Sequence, residues 1–270
     1  MEITEKEKDL LLYQIKKRYG YDFTNYAEAS IKRRIIRFCE IHHFKQYFDL
    51  KHDLMNDSGL FADFVLQITV NVTEMFRDAS FFHSTKENVF PNLATYTHCK
   101  IWHAGCSTGE EVYSMAIMLK ESKLLKTMVY ATDINPEVLN QAREATYSMK
   151  QMKEYTTNYI KAGGSASFSD YYTAHYNMAI LNSTLKKNIV FSQHNLVSDG
   201  SFNEFNLIVC RNVLIYFNKE LQEHVLNLFY ESLAPLGYLA LGSKESLLFS
   251  SLNTKFEVVD KNEKIYRKIE

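Results

Sequence analysis

The stretch from Lys100 to Leu119, KIWHAGCSTGEEVYSMAIML, constrains the fold more than any other part of the sequence. It begins as a short apolar run, KIWHA, turns on Gly105 and Gly109, and continues with apolar residues at helical spacing. A strand that turns on glycine into a helix opens a βα unit, and the chain repeats the pattern. TMVYATD reads as a second strand, and NPEVLNQAREA as a second helix with Asn135 as N-cap and Pro136 in its first turn. NIVFSQHNL and FNLIVCRN read as strands, NKELQEHVLNLFYESLAP as a helix, and GYLALGS as another buried strand. KFEVVD and KIYRKI, parted by a short polar turn, read as an antiparallel hairpin at the sheet edge. The expected fold class is α/β, a doubly wound, Rossmann-like sheet.

Two regions stand outside this alternation. From Thr4 to about Val70 there is no proline and only Gly20 and Gly59, and apolar residues recur at helical spacing, which predicts a bundle of short helices. Within SIKRRIIRFCEIHHF, Ile31, Ile35 and Phe38 share one helical face while Arg33 and Arg37 lie nearly opposite, with Lys32 and Arg34 on the flanks. That basic face is either a solvated surface or a docking surface for an acidic partner, since arginine forks match carboxylates. The second region, between NPEVLNQAREA and NIVFSQHNL, is rich in tyrosine and holds Gly163 and Gly164 side by side. It is too long for an ordinary connection. It predicts a helix and a small antiparallel β insertion at about 150–187, serving as a lid, an incidental excursion or a recognition module.

Composition removes several function classes. The chain has 270 residues, 46% of them hydrophobic, and a formal net charge of −1, so it can bury a large core and carries no global field toward nucleic acid. Cys39, Cys99, Cys106 and Cys210 lack CxxC spacing, which argues against a zinc site or a disulfide framework. The opening MEITEKEKDLLLYQ is charged and helical rather than a signal peptide, and no apolar run approaches the ~18 residues of a membrane span. The expectation is a cytoplasmic protein with no direct membrane insertion, no metal and no nucleic-acid partner.

The glycine turn brings backbone N–H groups and a helix N-terminus to one point, where a ligand can approach Gly105 closely. Gly105-x-x-x-Gly109 matches neither of the phosphate-binding glycine patterns, and no lysine follows to meet a terminal phosphate. The helix opens instead on Glu110 and Glu111, whose carboxylates would repel pyrophosphate and suit a ligand with a positive amino group, although glutamate there is also ordinary dipole compensation. Asp133 ends the second strand where an acidic side chain can take the two hydroxyls of a ribose. An adenosine bearing an amino acid and no phosphates, S-adenosylmethionine, satisfies all three observations.

Four motifs, VNVTEMFRD, AGCSTGEEVYS, ATDINPEVL and IVCRNVLIYF, in this order and spacing, resemble the chemotaxis-receptor glutamate O-methyltransferase family, the CheR type. The resemblance implies a helical domain at 1–69, a linker contributing to the active site at 70–90, and a methyltransferase domain at 91–270 carrying a β-subdomain. It implies that Asn71, Thr73 and Arg77 line the cofactor pocket, that Glu111 and Asp133 bind methionine and ribose groups, that Asn195 and Leu196 sit by the adenine, and that Arg211 and Asn212 end a strand at the ligand edge. Arg77 would orient the incoming carboxylate and Tyr216 would face the methyl group. Methylation of a glutamate side chain leaves S-adenosylhomocysteine and needs no general base, because glutamate is already ionised at neutral pH. The implied partner is an acidic helical protein, a chemoreceptor cytoplasmic domain, docked by Arg33, Arg34 and Arg37 onto a monomeric enzyme. The rival reading is a catalytically silent S-adenosylmethionine-binding scaffold or sensor, which could lose the methyl-facing residues; Arg77 and Tyr216 are both present.

Overall fold

A computed structural model describes residues 2–269. The chain divides into two compact units, one of residues 1–71 and 214–225, the other of residues 72–213 and 226–270.

The first unit holds α1 (Glu5–Tyr19), α2 (Glu28–Ile41), α3 (Tyr47–Asn56) and α4 (Ser58–Ile68). Thr4 and Glu7 cap α1 reciprocally, and Gly20, at φ 79°, lets its last turn close in the left-handed region. Ile31, Ile35 and Phe38 bury the apolar face of α2 against Leu11, Ile15, Phe23 and Phe64. Residues 214–217 join this unit through backbone contacts. The Ala27 N–H donates to the Tyr216 carbonyl at 2.7 Å, and Tyr26 and Phe217 form an isolated antiparallel bridge.

The second unit opens with α5 (Ala79–Asn88) and α6 (Phe90–Leu93), so the span expected as a linker at 70–90 is largely helical beyond Asp78. It continues with β1 (Cys99–Ala104), α7 (Glu110–Glu121), β2 (Thr127–Asp133), α8 (Pro136–Glu144), β3 (Thr146–Ser148), α9 (Met149–Lys161), β4 (Tyr172–His175), β5 (Met178–Leu181), α10 (Ser183–Lys186), β6 (Ile189–Gln193) and β7 (Phe205–Cys210). After α11 (Lys219–Ser232), whose residues are divided between the units, come β8 (Leu233–Leu241), β9 (Phe256–Asp260) and β10 (Ile265–Lys268). The main sheet runs in the order β6-β2-β1-β7-β8-β10-β9. Its first five strands in that order are parallel, and β10 is antiparallel to both β8 and β9. The chain therefore winds outward from β1 in both directions, and the crevice between the carboxyl ends of β1 and β7 is the topological switch point.

β3, β4 and β5 make a separate antiparallel sheet, β3-β5-β4. The insertion begins at Thr146, which pairs with Ile180, rather than at about 150, because the residues just past α8 already extend into β3. The helix read through NKELQEHVLNLFYESLAP ends at Ser232, since Leu233 pairs with Phe205 in the sheet. The paired glycines have different reasons: Gly163 sits in the left-handed region, at φ 81°, and a Cβ on Gly164 would collide with the Tyr159 ring. Tyr159 and Tyr171 both donate their hydroxyls to Glu121 of α7, which also accepts the Ser165 N–H, and so the insertion is tied to the core sheet's first helix.

Burial opposes ionisation of Glu121, but the hydrogen bonds from Tyr159 and Tyr171 outweigh it and hold the carboxyl below the ordinary glutamate range. A group depressed in the folded state stabilises above its unfolded pKa and loses that contribution as pH falls through its folded pKa. Glu121→Gln should therefore melt below wild type at pH 7, and the gap should narrow as pH drops below about 4.3, measured by thermal melts across pH.

Candidate active site

The loop after β1 is folded across the end of β2. Gly105 and Cys106 both donate their N–H groups to the Thr132 carbonyl, at 2.8 and 2.9 Å, and the Ser107 N–H donates to Asp133 Oδ2 at 2.9 Å. Gly105 sits at φ 78°, and a Cβ there would meet Val213 Cγ2 at 2.5 Å, so the position admits only glycine on both backbone and space grounds. The Ser107 Oγ is buried and has no hydrogen-bond partner among the described residues.

Glu111, in the first turn of α7, is held by both carboxylate oxygens. His103 Nδ1 lies 3.0 Å from Oε1, and Arg211 Nη1 donates to Oε2 at 2.9 Å. Arg211 in turn donates from Nη2 to Asp78 Oδ2 at 2.7 Å, and its guanidinium lies 4.0 Å from the centre of the Phe81 ring. Burial pushes Glu111 toward its neutral form, but the His103 hydrogen bond and the Arg211 charge prevail and hold its pKa below the ordinary value. Its neighbour behaves differently, which corrects the expectation that Glu110 and Glu111 face a ligand together. Glu110 is 5% exposed, accepts from Thr108 Oγ1 at 2.6 Å, and is pushed by burial up to about 7. Successive helical residues point about 100° apart, so one glutamate lines the crevice edge and the other is turned into the packing.

Asp133 ends β2, where its Oδ1 accepts the Asn135 N–H at 3.0 Å and its Oδ2 the Ser107 N–H. Burial raises its pKa, and the backbone N–H bonds oppose that rise. The Ile134 N–H is a third backbone donor to this carboxyl, and an ionised carboxylate has about four acceptor directions, so acceptor capacity remains after these bonds. The His194 N–H donates to the Asp133 carbonyl at 3.1 Å, which brings the turn carrying Asn195 and Leu196 beside it. Asn195 shapes that turn, accepting the Val197 N–H on Oδ1 at 3.0 Å, and Leu196 is buried.

Arg211 and Asn212 follow β7, with Asn212 at φ 61°. The turn is held by Glu245, whose carboxylate accepts the N–H groups of Asn212 at 3.1 Å, Val213 at 2.9 Å and Gly242 at 2.6 Å. Sequence reading did not single out Glu245, Asp78 or His103. Glu245 lies far from CRN in the chain, and a lone acid after a strand or a histidine inside one carries no spacing signal.

Thr73 and Arg77 lie on the segment before α5. Phe76 and Asp78, on either side of Arg77, are both in the left-handed region, at φ 54° and 56°. The Phe76 N–H donates to Ser114 Oγ at 2.8 Å while its ring packs on Phe82, Tyr159 and Phe168, so the backbone around Arg77 is fixed by buried neighbours. The Arg77 guanidinium donates to the Val72 carbonyl at 3.3 Å.

The remaining expected site residues belong to the helical unit. Asn71 donates its Nδ2 to the Leu66 and Thr69 carbonyls, both at 3.1 Å, and so caps the end of α4. Arg33 and Arg37 are exposed on α2 as expected. Arg34 departs from the solvated stripe: its guanidinium lies 5.5 Å from the centre of the Tyr216 ring and donates to the Gln67 carbonyl at 3.3 Å. Its place on the flank of the helix turns it toward residues 214–217, and burial lowers its pKa.

These residues suit S-adenosylmethionine and not a dinucleotide. The crevice presents an ionised carboxylate at Glu111, a second carboxyl group at Asp133, a buried hydroxyl at Ser107 with no partner among the described residues and a glycine at Gly105, and the glycine turn and first turns of α7 hold no lysine to neutralise phosphate. Residues 71–265 match the family described as "CheR methyltransferase, SAM binding domain", and residues 6–69 that described as "CheR methyltransferase, all-alpha domain". The chain belongs to the CheR methyltransferase family. It is 48% identical to "Putative methyltransferase Cher3" of Pseudomonas putida KT2440 over 98% of this chain and 97% of that one. It is 32% identical to a chemotaxis protein methyltransferase of Listeria monocytogenes over 91% of this chain and 93% of the other, and 30% identical to that of Salmonella typhimurium over 92% and 84%. This CheR methyltransferase thus binds S-adenosylmethionine and is a methyltransferase of the chemotaxis type. No helix among its described residues is long and apolar enough to cross a membrane.

Because Glu245 gathers three backbone N–H groups, Glu245→Gln should destabilise the protein by about 1–3 kcal/mol, read from chemical denaturation. The same substitution should weaken S-adenosylhomocysteine binding, since the Arg211-Asn212 turn loses its anchor.

Proposed function

We propose that this CheR methyltransferase acts in the cytoplasm on a chemoreceptor's cytoplasmic domain, converting glutamate side chains to methyl esters and releasing S-adenosylhomocysteine. The observation that carries the reading is Glu111, a half-buried carboxylate kept ionised by His103 and Arg211 at the switch point, which suits a cofactor with an amino group and no phosphates. The cofactor supplies a methyl group on a positively charged sulfur. In this reading Glu111 and Asp133 hold its amino-acid and ribose parts, Gly105 lets it approach the backbone, and Asn195 and Leu196 border the adenine. Arg211 and Asn212 form the wall at the end of β7, and Asn71 and Thr73 belong to the pocket by the family motif.

The chain's work on the substrate is orientation and exclusion of water. The attacking glutamate needs no proton removed, and opposite charges are neutralised as reaction proceeds, so water, which stabilises the separated charges, retards the step. Arg77 aligns the carboxylate and Tyr216 donates a hydrogen bond near the transferred group. Arg33 and Arg37, exposed on α2, supply the basic surface for an acidic helical partner, and the helical residues 1–69 are the docking domain in this scheme. A silent sensor would have no use for Arg77 and Tyr216.

Labelled S-adenosylmethionine, incubated with the protein and membranes of its host, should put a base-labile label on a receptor-sized band. A protein that binds the cofactor and labels no carboxylate in any host fraction would contradict the reading. Tyr216→Phe should cut single-turnover transfer by about tenfold to a hundredfold, the ~1.4–2.7 kcal/mol of one transition-state hydrogen bond, with Arg77→Ala costing more. Asp133→Ala should weaken S-adenosylhomocysteine binding by about 1–3 kcal/mol, measured by calorimetry.

A further inference from the structure

β1 presents Cys99, Ile101 and His103 on one face. The first two sit in the apolar core, and His103 is equally buried, at 1% exposure. A histidine in such a position gives up water at both ring nitrogens, and an apolar residue would not. Its Nε2 has no hydrogen-bond partner among the described residues. The polar contact that the ring does make is Nδ1 to Glu111 Oε1, at 3.0 Å. Arg211 stands two residues beyond Val209, the residue paired with His103 across the β1-β7 ladder, and takes the other oxygen of the same carboxylate. The two donors come from β1 and from the residue just past the end of the adjacent β7, on the face of the sheet that α7 covers. Between them they fix the rotation of the carboxylate about its last bond, which Arg211 alone would leave free.

We propose that His103, donating from Nδ1–H, is a positioning residue that holds the Glu111 carboxylate in one orientation for the cofactor's amino group. The proposal rests on the reading of Glu111 given above and adds to it a residue that touches neither cofactor nor substrate. Its prediction is specific to a hydrogen-bond donor at the δ position. Asparagine at 103 places an amide N–H the same number of bonds from Cβ as Nδ1, and leucine keeps the bulk without a donor.

His103→Leu should raise the dissociation constant for S-adenosylhomocysteine about tenfold, and His103→Asn should stay within about threefold of wild type, measured by calorimetry. In a Glu111→Gln background, adding His103→Leu should change affinity by less than about twofold, because the two residues act as one unit. In the wild-type protein without ligand, the ring nitrogen resonances of His103 should report a proton on Nδ1. Wild-type affinity in His103→Leu alongside weakened Glu111→Gln would overturn this proposal and leave Glu111 in the site. Wild-type affinity in Glu111→Gln would remove Glu111, and this proposal with it. Equal loss in the asparagine and leucine variants would show that the donor is not what matters. Should His103→Leu fail to fold, the asparagine variant and the ring tautomer decide, and a bare Nδ1 would overturn the proposal.

Discussion

The ion pair between Glu111 and Arg211 is the constraint around which the α/β unit is organised. It joins the first turn of α7 to the end of β7 across the switch point, with each partner fixed by a further group: His103 on the carboxylate, Asp78 and the Phe81 ring on the guanidinium. A buried pair of this kind is poor evidence for stability, since replacing it by apolar residues is often neutral, whereas removing one partner strands the other at a cost of roughly 3–5 kcal/mol. Its value here is chemical. It maintains a carboxylate charge in a partly buried crevice, where a cationic ligand group is attracted more strongly than in bulk solution. The Arg211 Nε, buried and without a partner among the described residues, is a polar cost that the arrangement carries.

Asp133 supplies the second charge by another route. It meets no cation among the described residues; backbone N–H groups, including those of Ser107 and Asn135, work against the desolvation that raises its pKa. One of those N–H groups belongs to the loop after β1 and the other begins the cap of α8, so the carboxylate also sets the loop that Gly105 and Gly109 allow. The two acids of the crevice are therefore preorganised by different means, one by ions and one by the main chain. In the proposed site, that arrangement would leave a ligand's amino and hydroxyl groups to meet acceptors that are already in place.

Much of this was legible in the sequence because it lies in short, local patterns. KIWHAG and IVCRN announce buried strands that end on a turn, ATDINPEVL announces a strand, a cap and a helix, and the basic stripe of α2 follows from helical phase. What was not legible depends on tertiary partners. Glu110 and Glu111 are equivalent on paper, and only the seating of α7 on the sheet decides which one meets Arg211. Glu245 reaches back to the Asn212 turn from beyond β8, and Arg34 is drawn to a tyrosine near the other end of the chain; neither leaves a mark on its own neighbourhood. His103 continues an alternating strand pattern in which a histidine would ordinarily be a satisfied core residue.

The proposed site places S-adenosylmethionine in the crevice between β1 and β7, with Glu111 and Asp133 as its two anionic contacts. A crystal structure of the S-adenosylhomocysteine complex tests it most directly. The ligand's amino group should lie within hydrogen-bond distance of Glu111, its ribose hydroxyls on Asp133 and its chain over Gly105, with the His103 and Arg211 contacts to Glu111 kept. Ligand density elsewhere in the protein, or in this crevice with both carboxylates making only the internal bonds described above, would contradict it.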